Sequence, residues 1–425
     1  MVLFCPFLSR MEWKVLSFFI LASTVFCVQE KAAFGAGYQI PNQSTRAVGI
    51  AGATIAFSSG PDTSYYNPAN MSFLDDIWML ETSLTLLYLP SIEYTDNRSS
   101  LFNGSSESEM FYLPLVHLTS KSFNNYRFGF SLTYPYGLSK QWDEPYPSAT
   151  VKEFSLDVVE LNPTFSYELG DTLSVGGGAR FIYADGTVEN GVTGLNRELE
   201  GDDLQVGYNL AATYRPIKQW RLAVTYRSEV NLDLEGDATM VASVDKTPVT
   251  GYDGYGAVDV ALPAVFSLAT SYTIADFTVE VVWNRTFWSA VEEFDFQYDQ
   301  SFLGTPFDGF DRPLEKKWDD SDAFRFGITW SILDTLDATF GFAVDETPVR
   351  ENTLGFELPD SDSYMYTTGV QWEYSEKLSL GISYMYHHTT SQSVSGDPVA
   401  GLPGIDGTFK GGGAHAVNFG TIWKF

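Results

Sequence analysis

The architecture is decided by Trp220-Arg221-Leu222-Ala223-Val224-Thr225-Tyr226-Arg227-Ser228-Glu229-Val230-Asn231-Leu232-Asp233. In an extended chain successive side chains point to opposite sides. Leu222, Val224, Tyr226, Val230 and Leu232 therefore share one face, and Arg221, Thr225, Arg227, Glu229, Asn231 and Asp233 the other. A soluble sandwich would turn the apolar face to its core and the charges to water. A closed transmembrane barrel would turn the apolar face to lipid and the charges to a polar lumen. A single strand fits either arrangement, so the rest of the chain has to choose.

The same alternation recurs along the chain. Leu378, Leu380, Ile382, Tyr384 and Tyr386 oppose Ser379, Gly381 and Ser383; Phe340, Phe342 and Val344 oppose Thr339, Gly341 and Ala343. Phe324, Phe326, Ile328 and Trp330 oppose Arg325, Gly327 and Thr329. Strands are predicted over 78–90, 110–120, 127–138, 153–169, 173–185, 204–214, 220–234, 258–273, 277–294, 323–331, 337–344, 364–373, 378–388 and 414–425. Short connections (121–126, 170–172, 215–219, 374–377) alternate with long ones rich in Gly, Asp and Ser (91–109, 186–203, 235–257, 295–322, 389–413). About fourteen strands with short turns on one side and long loops on the other match an outer-membrane barrel. The last stretch, Val417 to Phe425, alternates and finishes on an aromatic residue, as a closing strand does. The fold class is all-β: a transmembrane antiparallel β-barrel.

Composition agrees. Aromatic residues make up 16% of the 425 residues, with 32 Phe and 24 Tyr, while the mean hydropathy is only -0.08. The one sustained apolar run, 15–28, follows Arg10 and Lys14 and precedes Ala32-Ala33-Phe34-Gly35. That order marks a secretory signal over 1–35. It takes with it both cysteines, Cys5 and Cys27, so the mature chain has no thiol for a disulfide, zinc or nucleophilic site. The formal charge of -29 argues against nucleic acid as a partner.

Between signal and first strand lies a stretch without alternation, rich in small residues (Gly49, Ala51, Gly52, Ala53) and closing Tyr65-Tyr66-Asn67-Pro68-Ala69-Asn70. It reads as a hatch over 36–76, folded inside a barrel that occupies 77–425. One strand breaks its own rule: Phe128 to Tyr134 alternates, then meets Pro135-Tyr136-Gly137. Proline removes a ladder donor and glycine weakens a strand interior, so a kink or bulge is expected there, a gap in the wall.

These residues resemble the FadL-type outer-membrane transporters of long-chain fatty acids and aromatic hydrocarbons. The likeness rests on Ala36-Gly37-Tyr38-Gln39, Asn67-Pro68-Ala69, Tyr136-Gly137-Leu138, Thr225-Tyr226-Arg227-Ser228-Glu229-Val230, Leu262-Pro263, Asp322-Ala323-Phe324-Arg325, Asp345-Glu346-Thr347-Pro348-Val349, Leu358-Pro359-Asp360 and Ser383-Tyr384-Met385. The resemblance implies a hatch at Asn67, Pro68 and Ala69, and a lateral opening at Pro135, Tyr136 and Gly137. It also implies capture by outer loops 186–203 and 235–257, and substrate contacts from Ala36, Tyr38, Asn190, Arg227 and Arg325. The stretches matching the family's basic lumen residues, 183–190 and 319–322, are acidic or neutral here, which points toward a neutral hydrocarbon.

Other chemistry is less well founded. His387 and His388 point to opposite sides of a strand, and Asp319, Asp320 and Asp322 lack the spacing of a calcium loop. No catalytic set, metal site or cofactor is expected. Gly176-Gly177-Gly178 precedes no helix and reads as lumen space rather than a phosphate cradle. The pair Arg227 and Glu229 is expected on one lumen-facing side. The function expected is passive uptake of a hydrophobic small molecule across the outer membrane, with lateral release. The alternatives are a diffusion porin for polar solutes and a surface adhesin or receptor. Implied partners are the cargo, outer-membrane lipid and lipopolysaccharide, and the barrel-assembly machinery.

Overall fold

A computed structural model describes residues 37–192, 194–245, 247–395 and 404–425. The expected signal over 1–35 and Ala36 lie outside the described residues. Fourteen strands close into a barrel: β1 (Met79–Leu89), β2 (Glu109–Thr119), β3 (Tyr126–Gln141), β4 (Glu153–Leu169), β5 (Leu173–Val192), β6 (Leu195–Ile217), β7 in two pieces (Trp220–Arg227 and Val230–Val244), β8 in two pieces (Thr247–Leu262 and Val265–Ile274), β9 (Phe277–Thr286), β10 (Ser321–Leu333), β11 (Leu336–Asp345), β12 (Ser363–Ser375), β13 (Leu378–Thr389) and β14 (Ala414–Lys424). Neighbours pair antiparallel, and β14 returns to β1 from Met79↔Lys424 to Tyr88↔His415, which closes the barrel.

The outer face carries Phe165, Leu210, Tyr226, Phe324, Phe340, Ile382 and Phe419, as a lipid-facing wall requires. The lumen side of the lower half is polar: Ser131, Thr133, Glu160, Asn162, Arg180, Asn209 and Thr225 are all buried.

Higher up, the pattern inverts. β7 steps at Ser228–Glu229 and β8 at Pro263–Ala264, and across each step the inward-facing positions change from odd to even numbers. β3 does the same at Pro135–Tyr136. β4, β5 and β6 run through without a step, and the chemistry of their inward positions changes instead, from Glu160 and Arg180 to Val158 and Ile182. Above the steps the interior is an apolar core of Leu138, Phe154, Leu156, Ile182, Leu199, Leu232, Leu234, Val258 and Val260. Asp233, Glu235, Asp237 and Asp259 are outside and exposed.

Two sequence expectations change as a result. Arg227 faces the lumen but Glu229 is exposed on the outside, so they do not share a side. The stretches 186–203 and 235–257 are not loops. They are the upper parts of the β5–β6 and β7–β8 hairpins, paired residue by residue up to Val192↔Leu195 and Val244↔Thr247. Their acidic outer face made them look like solvated loops, while the inward face is aliphatic.

Most of the segment from Gly37 to Trp78 lies in the lower lumen, with Tyr38 reaching the apolar core above it. It contains α1 (Thr45–Gly49), α2 (Thr63–Tyr66) and a 3-10 helix (Pro68–Phe73). Ser44 caps α1 by accepting from Ala47 N at 3.0 Å. Barrel side chains satisfy its backbone: the Glu280 carboxylate accepts from Ala56 N (2.5 Å) and Phe57 N (3.1 Å), Glu81 accepts from Thr45 N, and Arg127 donates to the carbonyls of Leu74 and Asp75. Lumen-facing glycines of the alternating strands seat it. A Cβ at Gly341 would collide with Ile50 backbone, and one at Gly420 with Thr45.

Candidate functional site

β1 and β2 pair along all of β2, from Glu109 to Thr119. β2 and β3 pair only from Val116–Thr119 to Gly129–Leu132. Above that the two strands part, and they meet again at the Ser106–Trp142 bridge and the Glu107 N to Gln141 O hydrogen bond (2.9 Å). The result is a window in the wall, closed above and below. Its cause is local: Pro135 has no N–H, and the register of β3 against β4 shifts between Thr133 and Tyr136.

Unpaired backbone at this depth is costly, and the segment before α1 takes up the freed edge of β3. Ile40 N donates to Pro135 O (2.8 Å) and Gly137 N donates to Tyr38 O (3.0 Å). Gln43 closes the lower end, donating Nε2 to Tyr134 O (2.7 Å) and accepting from Tyr134 N (2.8 Å). Residues 38–43 thus act as a short substitute strand.

Behind the window lies a cavity of about 220 Å3. Its walls are largely apolar: Ile40, Leu87, Leu113, Leu138, Met365 and Met385 among them, with Lys140, Asp157, Asp360 and His387 as its ionisable groups. Tyr38 borders both this cavity and a smaller one of about 20 Å3 ringed by Leu138, Phe154, Leu199, Leu234 and Val258. Its hydroxyl donates to Ala261 O, and its ring packs against Trp288 (4.7 Å), Trp318 (5.7 Å) and Tyr136 (6.1 Å). The Tyr136 hydroxyl donates to Pro263 O at 3.1 Å, tying the step in β3 to the step in β8. Asp360 accepts from Gly37 N (3.2 Å) and Thr347 Oγ1 (2.7 Å). Burial pushes its carboxyl up to about 7, against the lowering effect of those two donors.

The remaining sequence-predicted residues are dispersed. Asn67 donates Nδ2 to Ile55 O (2.7 Å) and Thr213 Oγ1 (2.9 Å), and accepts from Ala69 N (3.0 Å), starting the 3-10 helix with Pro68 at its first position. Pro68 and Ala69 lie so close to β5 that a Cβ at Gly176 would strike both, which explains that glycine. Arg227 pairs with Glu160, whose other oxygen takes Arg180 Nε at 3.0 Å, and its guanidinium lies 4.3 Å over the Tyr65 ring. Arg325 pairs with Asp345 (2.6 Å) and donates to Ala51 O (3.1 Å). Both arginines line a third cavity, of about 60 Å3, rather than the one behind the window. Asn190 is near the upper rim, accepting from Arg197 Nε at 3.0 Å.

The acidic stretches carry less weight than the sequence suggested. Asp319 pairs with Arg350, Asp320 and Asp322 pair with Arg285, and none of 183–190 or 319–322 lines the cavity behind the window. Sequence reasoning did not single out Lys140, Trp288 or Trp318. Lys140 sits in a strand whose alternation ends at the kink, and the two tryptophans lie beyond strand ends.

Among curated proteins, the long-chain fatty acid transport protein of Salmonella typhi is 22% identical over 402 residues, covering 86% of this chain and 90% of the relative. Among solved structures, a FadL homologue of Pseudomonas aeruginosa superposes with a TM-score of 0.80 at 16% identity, over 92% of this chain and all of that one. The toluene transporter TbuX of Ralstonia pickettii superposes with a TM-score of 0.68 at 17% identity, over 90% and 98%. A family model described as outer membrane protein transport protein (OMPP1/FadL/TodX) matches residues 26–418. With its closed fourteen-stranded barrel, the chain belongs to this family of outer-membrane proteins.

Proposed function

We propose that the protein carries hydrophobic small molecules, long-chain fatty acids or aromatic and aliphatic hydrocarbons, across the outer membrane without catalysis. The cargo passes the substitute strand at residues 38–43 and leaves sideways through the window between β2 and β3. The observation that carries this reading is the contiguity of an apolar cavity with a break in the wall. A cavity of about 150 Å3 holds benzene, so about 220 Å3 takes one aromatic ring or a short length of alkyl chain. An apolar cargo enters lipid with a gain of about 25 cal/mol per Å2, so lateral exit needs no external energy. The related proteins' names, a fatty acid transport protein and a toluene transporter, agree with this cargo class.

The test is to close the window. Replacing Pro135 and Gly137 together by threonine supplies a ladder donor and β-branched side chains. Uptake of toluene and of dodecanoate by cells expressing this variant should fall to background while ligand binding to the purified protein persists. Wild-type uptake in the variant would refute lateral exit.

A further inference from the structure

One set of side chains crosses the window, and the uptake reading does not use it. Glu109, at the start of β2, accepts from Ser139 Oγ on β3 through Oε1. Its Oε2 lies 3.8 Å from Lys140 Nζ and, though buried, has no hydrogen-bond partner. The Lys140 ammonium donates to Ser139 O (2.9 Å). These contacts join two strands that have no backbone pairing at this level among the described residues.

Lys140 is 7% exposed and, among the described residues, is the sole Lys or Arg lining the 220 Å3 cavity. An ammonium can donate three hydrogen bonds. Its nearest carboxylate oxygen is beyond good hydrogen-bond range, and that oxygen is itself unsatisfied. Both partners therefore stand to gain from a better-placed group. The acids that line the cavity itself, Asp157 and Asp360, form no ion pair with Lys140, and Asp360 already accepts from Gly37 and Thr347.

We propose that Lys140 is the head-group-reading residue at the exit, and that Glu109 is its resident stand-in for the acidic head of a carboxylate-headed amphiphile. This rests on the uptake reading above and adds to it. An arriving carboxylate takes the Lys140 ammonium and displaces Glu109. Displacement also weakens the side-chain link to Ser139 across the window. A neutral hydrocarbon meets the same apolar walls but leaves the Glu109 latch in place. Lys140 thus separates acids from neutral compounds of equal length at a point where the walls alone cannot.

The experiment compares dodecanoate with dodecanol, in uptake by expressing cells and in calorimetric binding to the purified protein. Lys140→Met keeps the stem and removes the charge. It should lower acid binding and uptake about tenfold, which is about 1.4 kcal/mol, and leave the alcohol unchanged. Lys140→Arg should restore the acid. Glu109→Gln removes the competitor and should strengthen acid binding without changing the alcohol. Retention of folded-barrel gel mobility by each variant excludes misfolding as the cause. Equal effects on acid and alcohol, or none on either, would overturn the assignment. If wild-type cells take up neither compound the uptake reading fails, and the binding comparison still decides the role of Lys140.

Discussion

The lower and upper parts of the lumen are built by the same strands with opposite chemistry. Below the steps in β3, β7 and β8, the wall is apolar toward lipid and polar inward, with ion pairs between its own strands, and the segment after Gly37 fills the interior through hydrogen bonds to it. Above them the wall is polar outward and apolar inward, and the interior is side chains and cavity. The steps let a strand serve both regimes, because a one-residue slip reverses every side chain beyond it. Two of them are tied together, Tyr136 donating to Pro263 O (3.1 Å), and the third is held from β5, where Arg180 Nη1 donates to Ser228 O (2.6 Å). The lower lumen is specified by polar partners, the upper by shape.

That contrast can be broken most sharply at Glu160, fully buried between Arg180 and Arg227. Glu160→Ala leaves two guanidinium groups without their carboxylate, and removing one member of a buried ion network costs about 3–5 kcal/mol. Urea titration of the barrel in lipid vesicles should show a loss of that size, and a change within about 0.5 kcal/mol would mean the arginines find other acceptors. A second test compares outward positions. Leu210→Lys in the lower wall should cost about 2–4 kcal/mol in the same assay, as cations on a lipid face do. Asp233→Lys, outward but above the step, should stay within about 0.5 kcal/mol. Equal costs would place the lipid boundary elsewhere.

The smallest effect is a pH dependence at the join of the two regions. Burial raises the Asp360 carboxyl from 3.8 to about 7. The folded protein therefore binds this proton more tightly than the unfolded chain, so its contribution is full below pH 3.8 and is lost as the pH rises through about 7. Hydrogen exchange of Gly37 to Ile40 should be faster, relative to reference amides, at pH 8 than at pH 5.5. Asp360→Asn should flatten that difference, and an unchanged slope would reject the assignment. Asp362, pushed up to about 6 by burial, titrates in the same direction and accounts for any residue.

Much of this was legible in the sequence because hydrocarbon imposes strict alternation, and strands such as Phe324–Trp330 and Leu378–Tyr386 obey it. The kink at Pro135 was legible for the same reason, since a proline inside a spanning strand has few explanations. The inversion was not. Leu222 and Leu232 look like one face of one strand, and nothing in the alternation itself says whether the apolar side meets lipid or lumen. The upper hairpins failed for a related reason: Glu198, Glu200 and Asp202 mask the inward row of Arg197, Leu199 and Gly201. The cavity was beyond reach because it is made by residues far apart in the chain, such as Lys140, Asp360 and Met385, which no spacing connects.

The substitute strand has a kinetic consequence. Residues 38–43 hold β3 by two backbone bonds and the paired amide contacts of Gln43, each worth about 1 kcal/mol net. On the proposed lateral route, an apolar cargo would push this segment aside without replacing a single one of those bonds. Each passage would leave a set of stranded amides and carbonyls whose nearest remedy is the segment just expelled. The opening would then be spring-loaded shut by its own backbone.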